Sequence, residues 1–290
     1  MKYYTYFPGC SSSEGGAKAY GWSTQAVSKV LDMELIELDD WNCCGSTPYS
    51  SVDELSSLCL SARNLAIAEE RGLDLMTPCS ACYVMLNRTN SQLKEYPQVK
   101  AKVDEALAAG NLEYHGTVRV RHLLDVLVND IGYDEISCKV GRNISGLKVA
   151  PYYGCQVVRP RFGFDHPECP QSLDKLITSL GGDPVPFPLK SRCCGGSLII
   201  SEETLALDLI GKLLDSAVSN GAECLVTVCP LCQTNLDAYQ SQANKKFKTN
   251  FKIPILFFTQ LMGVAFGLND GNLGLKTNIV PVEKVLAKYR

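Results

Sequence analysis

The sequence predicts an α/β protein made of two pseudo-symmetric units, each a small, mainly parallel sheet flanked by helices. Short β-rich runs alternate with amphipathic segments of helical length, the pattern of parallel sheets with crossover helices. Five cysteines recur at matched spacing, C-x32-CC-x34-C-x2-C in the first half and C-x37-CC-x34-C-x2-C in the second. The adjacent pair and the CxxC both reappear 150 residues further on. An internal repeat of that length means a duplicated domain.

Each element has a counterpart. "KYYTYF" and "LKVAPYY" are β-rich runs leading to the first cysteine of each set, Cys10 and Cys155. Amphipathic segments at 17–32 and 170–181 follow, then the apolar runs "ELIEL" and "PVPFPL", which approach the cysteine pairs. Second helical segments at 53–71 and 202–219 end before Gly72 and Gly221, in the manner of helix C-caps. "LDLMT" and "ECLVTV" read as buried strands ending at the CxxC motifs. A helical insert is expected over 91–130, a domain boundary in "VGRNISG" so that the units span 1–146 and 147–290, and a final apolar helix in "FFTQLMGVAFGL" packed on the second half. The cysteines then lie at strand ends or in the loops beyond, where open α/β sheets place their sites.

Composition narrows the function. Twenty-eight basic against 31 acidic residues give a net charge of −3, and no basic cluster follows a phosphate backbone, so nucleic acid is not the expected partner. No apolar run reaches the length of a membrane span, and "MKYYTYFPGC" lacks the apolar core of a signal peptide. The expectation is a cytoplasmic protein, membrane-associated at most through its partners. In a reducing compartment, 14 cysteines at ordered spacings argue for metal or catalysis over structural disulfides.

"WNCCGS" and "RCCGGS" place two cysteines side by side before a glycine. A disulfide between neighbours would close a strained small ring. In extended chain their side chains diverge, so bringing both sulfurs to one site needs a turn, which glycine makes inexpensive. A CxxC alone fits a redox dithiol, half a zinc site or part of a cluster site. Five cysteines per unit exceed the four ligands of structural zinc, and His115, His122 and His166 have no counterparts between the halves. Thiolate-rich sites without histidine favour zinc or iron–sulfur centres.

With "DWNCCG", "GCQVVRPRFGF" and "FFTQLMGVAFGL", the duplicated pattern resembles the CCG domain of HdrB, a subunit of heterodisulfide reductase, over nearly the whole chain. The resemblance implies two noncubane 4Fe–4S clusters that bind and cleave a disulfide. The first would be held by Cys10, Cys43, Cys44, Cys79 and Cys82, the second by Cys155, Cys193, Cys194, Cys229 and Cys232. Zinc in one site is the alternative. Because the halves are homologous, the cysteine loops are expected to face one shared cleft. Arg159 and Arg161, just past Cys155, are candidates to grip an anionic substrate group. Cys59, Cys138, Cys169 and Cys224 are expected to pack as small hydrophobes.

The chain has neither a ferredoxin-type C-x2-C-x2-C-x3-C-P run nor a glycine-rich nucleotide fingerprint after its first strand. It is therefore expected to draw electrons through a ferredoxin-like iron–sulfur subunit resembling HdrC and a flavoprotein resembling HdrA. Its substrate would be a small-molecule or carrier-bound disulfide or thiol. Two other roles share these motifs. One is a sulfur-oxidising subunit running the chemistry toward disulfide, and the other a non-catalytic electron-transfer or zinc-stabilised subunit of a respiratory dehydrogenase.

Overall fold

Two four-stranded parallel sheets carry the molecule, one in each half. The computed structural model describes residues 1–46 and 49–289. The first sheet holds β1 (Lys2–Tyr6), β2 (Met33–Glu37), β3 (Leu75–Thr77) and β4 (Val120–His122) in the order β2-β1-β3-β4. The second holds β5 (Lys148–Tyr152), β6 (Asp183–Pro184), β7 (Cys224–Thr227) and β8 (Ile255–Phe257) in the matching order β6-β5-β7-β8. Every pairing is parallel. β3 and β7 are wholly buried, as central strands covered on both faces must be, and they read as unbroken apolar runs.

The crossover helices sit where the periodicity puts them. α1 (Lys18–Val30) follows β1, and α2 (Glu54–Glu69) starts at Asp53, whose carboxylate accepts the Ser56 N–H at 3.0 Å. α3 (Ser80–Glu95) springs from the first CxxC, and α4 (Pro97–Ala108) follows it. α5 (Tyr133–Cys138) precedes the loop to β5. In the second half α6 (Ser172–Ser179), α7 (Glu203–Ser219) and α8 (Pro230–Ala238) correspond to α1, α2 and α3, and α9 (Phe258–Ala265) follows β8.

Three expectations change. Residues 91–130 are not all helical: after α4 the chain forms β4, a three-residue buried strand too short for a periodic signal. Only the first residue of "PVPFPL" joins a strand, the two-residue Asp183–Pro184, because Pro184, Pro186 and Pro188 have no N–H for a ladder. Only Phe257 of the apolar tail joins β8, and α9, besides touching β7 and β8 of the second half as expected, packs most extensively against α1 of the first half. Tyr20 on α1 stacks on Phe257 at 4.2 Å, and the Ser23 and Thr259 hydroxyls meet at 2.6 Å. Reciprocally, α5 lies against α6, where the Tyr133 hydroxyl donates to the Ser172 carbonyl at 3.3 Å.

One core therefore runs through both halves, joining Tyr4, Tyr20, Met76 and Leu123 to Val149, Val226, Phe257 and Leu261. Two smaller cores lie beneath the cysteine loops. Leu58, Leu65 and Leu86 surround Cys44, Cys79 and Cys82, and Ile210, Leu214 and Leu236 surround Cys194, Cys229 and Cys232.

Candidate metal centre

All ten matched cysteines lie beyond the C-terminal ends of their strands. Cys10 and Cys155 follow β1 and β5, the pairs follow β2 and β6, and the CxxC motifs follow β3 and β7. Glycines shape the loops. Gly9 and Gly154 hold φ 73° and 68°, and a Cβ there would stand 3.0 Å from Cys82 Sγ and 3.1 Å from Cys232 Sγ. The glycines of the two CCG motifs, Gly45 and Gly195, hold φ 79° and 93° and press onto α2 and α7. A Cβ would approach Ser57 Oγ to 2.8 Å in the first and Ala206 Cα to 3.1 Å in the second. Only glycine combines the left-handed turn with that proximity.

The turns line the sulfurs up in two equivalent rows. Cys10 contacts Cys43, Cys44 contacts Cys43 and Cys82, and Cys82 contacts Cys79. In the second half Cys155 contacts Cys193, Cys193 contacts Cys194, Cys194 contacts Cys232 at 3.5 Å, and Cys232 contacts Cys229. The rows join because Cys79 and Cys229 are hydrogen-bonding neighbours. Their junction is closed, with the two residues 6% and 4% exposed. Where the sequence reading expects an open cleft between the rows, the structure packs them end to end and turns Cys10 and Cys193 outward to solvent. Ser80, donating to the Val228 carbonyl at 3.1 Å, pins the joint.

Thiolate is favoured at chosen sulfurs. Proton sharing with Cys43 and Cys82, plus the Ser46 N–H, draws Cys44 well below its ordinary range. Cys193 is lowered to about 2 by its contacts with Cys155 and Cys194, with help from the Gly195 N–H and the Arg159 charge. Cys194, donating to Cys193, is pushed up to about 12. Cys229 is lowered by Cys232 and Cys79 and by the N–H groups at the start of α8. The thiolate is the form that binds metal.

The structure separates the two arginines. Arg159 lines a cavity of about 400 Å³ with Cys155 and Cys193, and its Nε donates to the Ser191 carbonyl at 3.2 Å. Arg161, its side chain 68% exposed, instead pairs with Glu95 on α3. Arg192 and Lys212 line the same cavity. Sequence reasoning misses both, although Arg192 adjoins Cys193 in the chain. Asn235, also missed, donates from Nδ2 to Cys194 Sγ at 3.7 Å and to the Gly196 carbonyl at 2.9 Å. Of the unmatched cysteines, Cys224 is buried in β7 and Cys59 half-buried on α2, whereas Cys138 and Cys169 are exposed and do not pack. Cys138 ends α5, and the Cys169 N–H is held by His166 Nδ1 at 3.0 Å.

Among the described residues, no three His, Cys, Asp or Glu side chains converge on a single-ion position. The donors form rows. Five sulfurs per row, three of them buried, with N–H groups directed at them, fit a thiolate-bound polynuclear centre in chemistry and number. Fold and site together define a duplicated cysteine-rich α/β protein with two adjoining rows of cysteine sulfurs.

The CCG cysteine-rich domain model matches residues 4–87 and 149–237. The 8-methylmenaquinol:fumarate reductase membrane anchor subunit of Wolinella succinogenes is 37% identical over 98% of this chain and 99% of its own length. HdrB of the ferredoxin/F(420)H(2)-dependent CoB-CoM heterodisulfide reductase of Methanosarcina acetivorans is 30% identical, covering 92% of this chain and 90% of that one. A heterodisulfide reductase HdrB-like protein of Archaeoglobus profundus is also 30% identical, over 85% of each. The crystal structure of a hypothetical protein from Helicobacter pylori aligns with TM-score 0.78 at 17% identity, a likeness of fold. It covers 97% of this chain, which spans about half (52%) of that one. The chain belongs to the CCG cysteine-rich domain family, with both copies present, and is a relative of the heterodisulfide reductase protein HdrB.

Proposed function

We propose that this protein is the iron–sulfur subunit of a heterodisulfide reductase-type complex, with each sulfur row holding one noncubane 4Fe–4S cluster at which a disulfide is cleaved or formed. The supporting observation is the pair of equivalent five-sulfur rows in contact at Cys79 and Cys229. Cys10, Cys43, Cys44, Cys79 and Cys82 would hold one cluster, and Cys155, Cys193, Cys194, Cys229 and Cys232 the other, in units 1–146 and 147–290. Bound clusters would supply one-electron steps and iron positions for the released thiolates. The chain's own residues set the surroundings. The CCG turns keep neighbouring sulfurs on one site, the apolar cores exclude water from the buried ends, and Arg159 offers charge at the open end of the second row. Electrons would arrive through a ferredoxin-like protein resembling HdrC, served by a flavoprotein resembling HdrA.

A second reading draws on the 37% identical membrane anchor subunit. On that reading the same rows relay electrons inside a respiratory complex and no disulfide turns over. Among the described residues no helix is long and apolar enough to cross a membrane, so attachment would run through partners or the surface. The deciding experiment is anaerobic purification with metal analysis, followed by disulfide-dependent oxidation of a reduced dye with the partner subunits present. About eight irons per chain and disulfide-dependent turnover support the first reading. Full iron with quinol-dependent but not disulfide-dependent turnover selects the second, and zinc in place of iron rejects the cluster assignment.

A further inference from the structure

We propose that a lysine-rich tip on the second half is a contact surface for the anionic headgroups of a lipid bilayer. A helix over Gln240–Phe247 follows α8, and its last turn carries Lys245 and Lys246. Lys248 caps it in the left-handed conformation at φ 56°, and Lys252 follows before β8. From Ala238 to Asn269 the chain has these four lysines and no aspartate, glutamate or arginine. Residues 245–250 are all exposed, as is Lys252. Lys246 is engaged, pairing with Asp208 at 2.7 Å and donating to the Thr204 carbonyl at 2.6 Å. Among the described residues Lys245, Lys248 and Lys252 have no ion-pair partner. Asn244 fixes the tip, its Nδ2 donating to the Phe251 carbonyl at 2.9 Å and its Oδ1 accepting the Phe251 N–H at 2.7 Å and the Thr249 hydroxyl at 3.0 Å. Phe247 lies among the lysines, 38% exposed, its ring laid over Gly211 of α7, where a Cβ would stand 2.3 Å from it. A half-exposed aromatic ring between fixed ammonium groups suits an interface whose outer layer is phosphate and whose inner layer is apolar.

The corresponding element of the first half, α4, is charge-balanced. It follows the CxxC helix and precedes β4, as Gln240–Phe247 follows α8 and precedes β8. Lys100 and Lys102 are answered there by Asp104 and Glu105, and Lys100 pairs with Asp104 at 2.5 Å. The uniformly positive tip therefore belongs to the second half alone. Four like charges within eight residues repel one another, and a plane of negative headgroups relieves that repulsion. Their compactness does not suit a nucleic-acid strand, which is held by charge spread along its length. The absence of arginine does not suit a bidentate grip on one phosphate. A bilayer offers many headgroups on one plane to many point charges. Among the described residues no helix is long and apolar enough to cross a membrane, so contact of this kind holds the chain at the surface. The lipid surface goes beyond the function proposed above and is independent of what the sulfur rows hold.

The test is cosedimentation of the anaerobically purified full chain with vesicles of phosphatidylcholine alone and of an equal mixture of phosphatidylglycerol and phosphatidylcholine. The chain should sediment with the mixed vesicles and not with the neutral ones, and added sodium chloride should release it. Lys245→Gln, Lys248→Gln and Lys252→Gln combined should weaken partitioning by at least about tenfold, since each lysine near an anionic surface contributes about fivefold. Iron content and melting temperature should not change. Removing the same number of charges from the first half, with Lys94→Gln, Lys100→Gln and Lys102→Gln, should leave partitioning within about twofold of the wild type, which separates the tip from net charge. Equal sedimentation with neutral vesicles, unchanged partitioning in the tip variant, or equal losses in the two triple variants would overturn the lipid surface. Release by inorganic phosphate at matched ionic strength would mark a free-phosphate site instead and overturn it as well. None of these outcomes moves the iron content or the turnover that decides between the two readings of the sulfur rows.

Discussion

At the first sulfur row Phe7 packs edge-on against Trp41 at 5.5 Å, Met85 is buried on α3, and Arg63 is neutralised by Asp40. At the second row Tyr152 replaces Phe7 and donates to the Arg192 carbonyl at 2.8 Å, Asn235 replaces Met85 and reaches Cys194 Sγ, and Lys212 stands where Arg63 does but has no ion-pair partner among the described residues. The ten cysteines, their turns and the sheet order have been kept through the duplication, and what surrounds the cysteines has diverged. Hydrogen bonds and positive charge near a thiolate centre stabilise its more reduced, more negative state. Were each row to hold the proposed cluster, the second would have the stronger electron affinity.

The sharpest way to break this comparison is to remove ligands row by row. Cys44→Ser and Cys194→Ser should each lower iron in the anaerobic protein by about half, as loss of one centre requires, while Cys59→Ser and Cys224→Ser should lower it little. Equal loss in all four variants, by metal analysis, would undo the assignment of rows.

His122 has no counterpart in the second half, so its effect reports on the first half alone. Burial lowers its pKa to about 4, against about 6.5 in the unfolded chain. Between these values the unfolded chain binds more protons, so stability is complete above about pH 6.5 and declines as pH falls toward 4, by about 3 kcal/mol. Denaturant melts across that window should show the decline, and His122→Gln should flatten it. An unchanged slope would mean that another group carries the acid sensitivity.

The two CCG glycines allow a finer test of equivalence. Alanine at either position must adopt a left-handed φ, and the strain plus the close contact should destabilise by about 1–3 kcal/mol. The cost should be larger at Gly45, where the new Cβ meets Ser57 Oγ at 2.8 Å and the Ser57 carbonyl at 2.9 Å, than at Gly195, where the nearest atoms are 3.1 Å away. A reversed order in thermal melts would show that the α2 and α7 seats are not comparable.

Exchanging one residue should bring the rows closer in potential. Asn235→Met gives the second row the first row's residue and removes a donor to Cys194, so the second centre's reduction potential should fall by some tens of millivolts with iron retained. A potentiometric titration followed by electron paramagnetic resonance reads both centres separately, and a shift in the first alone would contradict the geometry. The smallest effect concerns the unmatched thiols. Iodoacetamide should modify exposed Cys138 and Cys169 and spare Cys224, which burial pushes up to about 12.

The amino-acid sequence by itself determined the duplication, the alternation of strand and helix, the ten-cysteine pattern and the need for a glycine turn after each pair. These are properties of spacing and local backbone conformation, carried by residues near one another in the chain. Tertiary structure decided the rest. β4 and β8 are three-residue strands that exist only because a neighbouring strand supplies their hydrogen bonds, and α9 reads as an apolar helix without any sign that its partner would be α1. The joining of the rows at Cys79 and Cys229 required two segments 150 residues apart to meet. Arg159 and Arg161 make the same point at short range. Two residues apart in one loop, one lines the cavity beside Cys193 and the other reaches Glu95 on α3, because a loop's path in space, which packing sets, determines what each side chain can touch.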